Sequence, residues 1–376
     1  MDKLPNFLHL AKKVSTKGSP WLYKRIKQEL KTPSYLASKQ IVIYVEFFRR
    51  FIRRMAISES VDYTKDHLLV VYDLNVAPIT FDFAYFLAYA ETFAIKSGKK
   101  TIYIIFVMKD KKALIDEAYT EFVNIDSQKW RMENILISLV NIYPGCVGYS
   151  VLPEGASIPT HLIQSFIFPI GYSESYKPAM DYQDVFKELS LNLHIGFKAA
   201  AQGLSYIEQW KQSNQIKNPI VCITLRQYGY DAERNSNIDA WVRFAKWVSD
   251  KGYSPVFIPD TDACWKDDER LEKFIVFREG CWSLGLRMAL YEISYVNFFY
   301  SNGCGALAVL SKKVRYILMM EPNEKSIHAT QKVYDRYGWV RGMRRMDFAK
   351  PYQFLSLKSD SFENICDEFS EFSKLF

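Results

Sequence analysis

A chain of 376 residues with 49% hydrophobic and 16% aromatic content is long enough for two α/β domains and too apolar for a disordered polymer. No stretch reaches the about 18 uninterrupted apolar residues a spanning helix needs, no charged-then-apolar leader with a small-residue cleavage site opens the sequence, and the six cysteines are scattered without Cys-x-x-Cys or zinc spacing. These features argue against a helical membrane protein, a disulfide framework and a zinc module, and the expected location is cytoplasmic. Residues 1–60 hold 13 Lys and Arg against 4 Asp and Glu, a surplus larger than the whole-chain net charge of +7. A basic arm of this kind suits an anionic neighbour such as a membrane surface, an acidic polymer or nucleic acid.

That arm reads as helical, with breaks at Lys17-Gly18-Ser19-Pro20 and Thr32-Pro33. Between Ile41 and Met55, the residues Tyr44, Phe47, Phe48, Phe51, Ile52 and Met55 share a helical face flanked by Arg49, Arg50, Arg53 and Arg54. The pattern suits an interfacial helix on anionic lipid, and equally a surface helix docked on its own domain. His67 to Tyr72 is the first clear strand and ends on Asp73. Thr80 then caps a largely apolar helix running to Lys96, with Asp82 in its first turn. A strand from Thr101 to Val107, a helix from Asp126 to Tyr143 stopped by Pro144-Gly145, and a weaker strand from Cys146 to Leu152 follow. Alternating strands and helices predict a doubly wound sheet. From Pro153 to Pro178 the chain is rich in Pro, Gly and Ser, with a short strand from Ser165 to Ile170. Asp181 to Trp210 reads as one helix, and the boundary to a second domain is expected near residue 214.

Pro219 to Leu225 is an apolar run that predicts a buried strand ending on Arg226. After a polar loop, Ile238, Trp241, Val242, Phe244, Ala245 and Val248 cover one face of a helix that Lys251-Gly252 stops. Tyr253 to Ile258 supplies the next strand, with Asp260 just beyond it. Strand, helix and strand make a right-handed crossover of a parallel sheet. A short strand at Phe274 to Phe277, a helix from Cys281 to Glu292, and a strand from Tyr295 to Tyr300 come next. The turn Ser301-Asn302-Gly303-Cys304-Gly305 leads into a helix, and Val314 to Met320 is the last strong strand. Residues 321–350 are polar, and Phe362 to Phe376 has Ile365, Phe369, Phe372 and Leu375 at helical spacing. The expected class is α/β, with two Rossmann-like doubly wound domains. Residues 1–60 form the arm, 61–214 the first domain, 215–350 the second, and 351–376 the terminal helix.

Ligands of open parallel sheets sit beyond the carboxyl ends of the strands, which singles out Arg226, Asp260 and the turn from Asn302 to Gly305. Gly303 and Gly305 let the backbone approach a phosphate, and the helix start offers N–H groups to it; the plainer alternative is a turn that needs glycine for its dihedrals. Arg226 can clamp a diphosphate or pair with an acid such as Glu233. Arg234 and Asn235 are available for sugar or phosphate, while Ser236 or Asn237 is the simplest helix cap. Arg287 lies on the helix before the fourth strand of this domain. Glu279, at the start of that helix, can accept from a ribose diol or complement the helix dipole. In the first domain Asp73 and Asp82 are the best general bases, with a turn cap and a dipole partner as their structural alternatives. His161 and His194 are lone histidines, read as structural. No Asp-x-Asp of the kind that holds a divalent metal on a nucleotide sugar is expected, and neither a phosphate loop nor a Gly-x-Ser-x-Gly elbow is present.

The segment Ile223-Thr224-Leu225-Arg226, with Arg234-Asn235-Ser236-Asn237, resembles the arginine-bearing donor segment of fucosyltransferase-like enzymes. Ser301 to Ala308 resembles the glycine-containing donor loop of heptosyltransferase-like ones. The layout of residues 65–376 is similar to that of GT-B glycosyltransferases, although a clear His-x-Arg-Arg and an Asp in the late glycine loop are absent. The resemblance implies domains facing a cleft, a terminal helix crossing back to the first of them, and a nucleotide sugar on the second. Donor contacts would come from Arg226, Arg234, Asn235, Ser236, Asp260, Glu279, Arg287, Asn302, Gly303 and Gly305. Asp82 or Asp73 would deprotonate the hydroxyl of a glycan or lipid-linked acceptor. It implies no metal or other cofactor, because arginine and helix N–H groups neutralise the leaving diphosphate. Nucleic acid is not an expected partner, and the basic arm would bring the enzyme to the inner face of a membrane. Two other readings stay open: a nucleotide-sugar epimerase or hydrolase of the same fold, and a non-catalytic binder of an anionic polymer or membrane through residues 1–60.

Overall fold

The computed structural model describes residues 7–31, 36–55, 65–108, 124–158, 167–173 and 176–376. The protein is α/β, with two compact units that each carry a Rossmann-like sheet. One unit holds residues 1–77, 94–113 and 147–180, and the other holds 78–93, 114–146 and 181–376. Much of the helical sequence assigned above to the first domain therefore counts with the second unit.

In the first unit, helix α1 (Phe7–Lys31) is interrupted at Gly18, whose φ of 72° and ψ of −179° are not helical, and Pro20 follows within it. Helix α2 (Leu36–Met55) is continuous. The sheet contains β1 (His67–Asp73), β2 (Thr101–Val107), β3 (Cys146–Leu152) and β4 (Ile167–Phe168) in the order β3-β2-β1-β4. β1 is parallel to both β2 and β4. Leu69, Val71, Ile105, Val107, Ile158, Ile167 and Tyr172 form one cluster of its core. Of the short strand expected from Ser165 to Ile170, Ile167 and Phe168 form β4 while Pro169 and Ile170 do not continue it; Ser165, Phe166 and His161 lie outside the described residues.

The second unit takes the first twelve residues of α3 (Asp82–Lys96), then α4 (Ile125–Arg131), a π-helical turn (Met132–Ile137) and α5 (Ser138–Asn141). Helices α6 (Tyr182–Leu189) and α7 (Ala201–Ser213) replace the single helix expected from Asp181 to Trp210. The separating segment is broken by Asn192 and Gly196, with φ of 55° and 81°. A Cβ on Gly196 would fall 1.9 Å from the Leu310 carbonyl oxygen, so glycine is the residue that fits there.

The remaining elements are β5 (Ile220–Thr224), α8 (Ile238–Ser249), β6 (Ser254–Ile258), β7 (Ile275–Val276), α9 (Glu279–Trp282), α10 (Leu284–Ile293), β8 (Val296–Tyr300), α11 (Gly305–Val309), β9 (Tyr316–Met319), α12 (Gln331–Arg336), β10 (Gln353–Ser356) and α13 (Phe362–Ser373). The helix expected from Cys281 is thus split, because the Ser283 hydroxyl caps a new start by accepting from the Leu286 N–H at 3.2 Å. The six strands run in the order β10-β9-β8-β5-β6-β7, and every pair is parallel. Strand order reverses between the neighbouring β5 and β8, so the connections leaving their carboxyl ends run to opposite sides and open a crevice there.

The central strands β5 and β8 are buried along their whole length because helices cover both faces of the sheet, and they are apolar apart from Thr224 and Asn297. Trp241, Phe244, Ala245 and Val248 of α8 pack with Val221, Ile223 and Phe298. Helix α13, which the resemblance sends back to the first domain, buries Ile365, Phe369 and Phe372 in this same core. Phe369 lies 5.7 Å from Phe244 and 5.1 Å from Tyr253 between ring centroids. Truncating a phenylalanine buried in this way costs about 3–5 kcal/mol, which fixes α13 to this unit. Among the described residues, no helix is long and apolar enough to cross a membrane.

Candidate functional site

The crevice beyond β5 and β8 is framed first by Asn302. Its Nδ2 donates to the Thr224 carbonyl at 3.1 Å, and its Oδ1 accepts from the Gly305 N–H at 3.0 Å. One side chain thereby ties the end of β5 to the turn after β8. Ser301 has a left-handed φ of 47°, a conformation costly for a residue with a Cβ. Arg234 holds it, donating from Nε to the Ser301 hydroxyl at 3.0 Å and from Nη2 to its carbonyl at 2.7 Å. The N–H groups of Gly305, Ala306 and Leu307 are spent on Asn302, Gly303 and Cys304 carbonyls. With α11 only five residues long, those three donors are not open to an anion.

Arg226 is buried, and its guanidinium is committed to its own loop. Nη1 donates to the Asp231 carbonyl at 3.0 Å and to Asn235 Oδ1 at 2.5 Å, and Nη2 donates to the Tyr230 carbonyl at 2.5 Å. Burial, followed by the neighbouring Arg234 charge, pushes its pKa down to about 10, against the pull of Asp260 and Asp231. Ser236 accepts from the Arg226 N–H at 2.8 Å, and Asn237 is the residue that caps α8. Asp231 is buried with a φ of 54° and accepts from the Ser326 hydroxyl at 2.7 Å. Arg226, Asn235 and Ser236 therefore build the loop, and Arg234 joins it to the turn.

Asp260 accepts from the Gln227 N–H at 3.2 Å. Burial raises its pKa, that hydrogen bond lowers it, and Asp262 raises it further. Asp260-Thr261-Asp262 is an Asp-x-Asp, against the expectation that the sequence holds none of the metal-binding kind. Among the described residues no group of three His, Cys, Asp or Glu is arranged to hold a metal ion. Glu279 is exposed in the first turn of α9.

Two arginines are placed differently. Arg287 is 2% exposed, donating from Nε to the Gly280 carbonyl at 2.6 Å and from Nη1 to the Tyr291 hydroxyl at 3.2 Å. Tyr291 continues to the Thr224 hydroxyl at 3.0 Å, the residue whose carbonyl Asn302 engages. Arg131, unnoticed in the sequence, ends α4 where the backbone turns π-helical. Its Nη2 donates to the Tyr228 hydroxyl at 3.1 Å, its Nη1 reaches the Ile79 carbonyl at 3.5 Å, and Cζ lies 5.7 Å from the Tyr228 ring centroid. Neither arginine forms an ion pair among the described residues. Cys304, within the turn from Asn302 to Gly305, feels the charges of Arg287 and Arg131 and, in the opposite sense, that of Asp260, and Asp260 in turn feels Arg287, so two guanidinium groups and one carboxylate act on the turn.

Phe81, two residues after Ile79, closes on that turn: a Cβ placed on Gly303 would meet the Phe81 ring at 3.0 Å. Asp82 follows directly. Its Oδ2 accepts from the Thr80 hydroxyl at 2.7 Å, and its Oδ1 accepts a short hydrogen bond from the Tyr182 hydroxyl. Tyr182 lies 5.2 Å from Tyr337 between ring centroids. Asp73 belongs to the other unit, at the carboxyl end of β1. It is buried and accepts from Tyr172 at 2.7 Å, from the Asn75 N–H and Nδ2 at 2.9 and 2.7 Å, and pairs with Lys177 at 3.1 Å. That network occupies Asp73, whereas Asp82 follows directly on Phe81, the residue that touches Gly303.

His194 is buried between α6 and α7, its Nε2 3.0 Å from Lys312 Nζ. Burial, with Lys312 and Lys350, pushes its pKa down to about 3. It contributes nothing to the residues around Asn302. Tyr228 and Tyr182 were missed with Arg131. A tyrosine in a polar loop carries no chemical motif, and an arginine in a helix's last turn reads as a dipole partner.

No protein-family model matches this sequence, and no curated protein does. Among solved structures, the chain is similar to the glycosyl transferase family 9 protein from Veillonella parvula DSM 2008, at 11% identity and a TM-score of 0.41 over 84% of this chain and 99% of that one. It is similar to the E. coli ADP-heptose lps heptosyltransferase II at 11% identity and 0.41, over 81% and 98%. It is also similar to E. coli heptosyltransferase WaaC with ADP at 10% and 0.40, over 82% and 98%. These are likenesses of chain layout at low identity.

Proposed function

We propose that this protein is a glycosyltransferase that moves a sugar from a nucleotide-sugar donor to a hydroxyl acceptor in surface glycan or polysaccharide synthesis. The observation that carries the reading is the pairing of unlike charges around one turn. Arg131 and Arg287 act on Cys304 in the turn from Asn302 to Gly305, with Asp260 as the one carboxylate opposing them there, and Asp82 directly follows Phe81, whose ring lies on Gly303. Breaking a glycosyl–phosphate bond leaves negative charge on the departing phosphate. Fixed guanidinium groups in a poorly solvated crevice stabilise that charge without reorganising. Asp82 takes the proton of the attacking hydroxyl. Tyr182 and Thr80, each donating to one of its oxygens, hold the carboxylate in one orientation. In this reading the arginines supply the counter-charge a divalent ion supplies elsewhere. The acceptor is a glycan or lipid-linked hydroxyl, and the enzyme works at the inner face of a membrane.

The test is a panel of UDP-, GDP-, ADP-, dTDP- and CMP-sugars scored by thermal stabilisation, which reports binding by mass action, on wild type and Arg131→Ala. Stabilisation by one nucleotide class, reduced in the variant, supports the reading. Absence of a shift with every donor would remove it.

A further inference from the structure

Helix α2 is amphipathic with its apolar side turned outward. Val42 is buried and Ile43 comes against Gly171, where an added Cβ would meet Ile43 Cγ1 at 3.1 Å. Yet Ile41, Tyr44, Val45, Phe47 and Phe48 are all exposed, with Tyr44 72% and Phe47 65% accessible. At 100° per residue these five fall within one arc of the helix. A helix docked only on its own domain places that arc inward, so this face is built for something outside the unit.

We infer that the exposed face of α2 seats in the interfacial layer of an anionic phospholipid bilayer. The charge of the segment selects this occupant. Residues 1–60 carry 13 Lys and Arg against 4 Asp and Glu, and Arg49, Arg50, Arg53 and Arg54 follow directly on the exposed phenylalanines. Helix α1, in the same unit, exposes Lys13, Lys17, Lys24 and Lys27. A second copy docked through α2 would set this basic segment against itself. Anionic headgroups meet the charge while the acyl boundary takes the aromatic rings. Helix α2 lies on the surface, because no described helix is long and apolar enough to span. The inference stands independently of the transferase reading.

The experiment is flotation of the full chain with vesicles of phosphatidylcholine alone and of phosphatidylcholine with phosphatidylglycerol, using wild type and the double variant Phe47→Ser, Phe48→Ser. Both side chains are exposed, so the melting temperature and any donor-induced shift should stay as in wild type. Wild type is expected to float with the phosphatidylglycerol vesicles, weakly with the neutral ones, and to release at high salt; the variant should bind at least about tenfold more weakly. Equal flotation of variant and wild type, or no flotation of wild type, would overturn the inference. A concentration-dependent dimer abolished by the double variant would overturn it too, by assigning the face to a second copy.

Discussion

Phe81 lies directly on Gly303: a Cβ at that glycine would come within 3.0 Å of the ring and 3.3 Å of the Phe81 Cβ. This contact brings the segment bearing Asp82 onto the turn after β8. Gly303→Ala should displace Phe81 at a cost of about 1–2 kcal/mol, and with it the carboxylate. The expected result is a modest drop in melting temperature with a larger drop in transfer rate. Wild-type activity in a stable Gly303→Ala protein would separate Phe81 from the site.

The arginines should divide into two classes. Arg226→Ala removes three hydrogen bonds within the loop and should lower unliganded stability by about 2–3 kcal/mol. Arg131→Ala, part-exposed and bound to one hydroxyl and one carbonyl, should leave it within about 1 kcal/mol and weaken donor binding. Thermal melts with and without donor check both. A reversed pattern would assign the donor contact to Arg226.

Asp82→Asn should cut the transfer rate by at least about a hundredfold with donor affinity retained, as expected of a general base. Tyr182→Phe leaves the carboxylate but removes one of its two holding hydrogen bonds, so a smaller fall confined to kcat is expected. Asp73→Asn should instead act on stability, through the Tyr172 and Lys177 contacts. Initial-rate kinetics of the three variants decides among these outcomes.

Chelation tests the role given to the arginines. Transfer should persist in EDTA and gain nothing from added magnesium or manganese. Loss of activity in EDTA, restored by a divalent ion, would move attention to Asp260-Thr261-Asp262.

Stability should fall in mild acid through His194. Its folded pKa is pushed down to about 3 from 6.5, so below about pH 6.5 the unfolded chain binds a proton that the folded chain does not. The His194 contribution is thus present above pH 6.5 and is lost as pH falls toward 3, with a slope of at most about 1.4 kcal/mol per unit. Glu91, whose pKa burial raises against its hydrogen bonds from Tyr143 and the Ile195 N–H, works in the opposite sense: it favours the folded state as pH falls. Denaturant melts between pH 7 and 4 should therefore show a flatter profile for His194→Gln than for wild type.

Strands were legible where apolar runs were long: Thr101–Val107 and Cys146–Leu152 are as read, and Arg226 was placed correctly at a strand end. What its guanidinium does was not legible, since its acceptors are backbone carbonyls brought round by the left-handed Asp231. Helical periodicity runs through residues 190–200 and hides the break that Asn192 and Gly196 impose. β10 was missed because four residues with polar ends, Gln353 and Ser356, give no strand signal by themselves. Gly145 was read as a helix stop, but a Cβ there would lie 2.1 Å from Glu91 Oε1, a tertiary constraint that no local pattern reveals.

The most direct measurement is the donor panel on wild type and Arg131→Ala. A rise in melting temperature with one class of nucleotide sugar, reduced in the variant whose unliganded stability is unchanged, is the predicted result. No rise with any donor, or an equal rise in both proteins, would contradict the assignment of the donor phosphate to the arginine-lined turn.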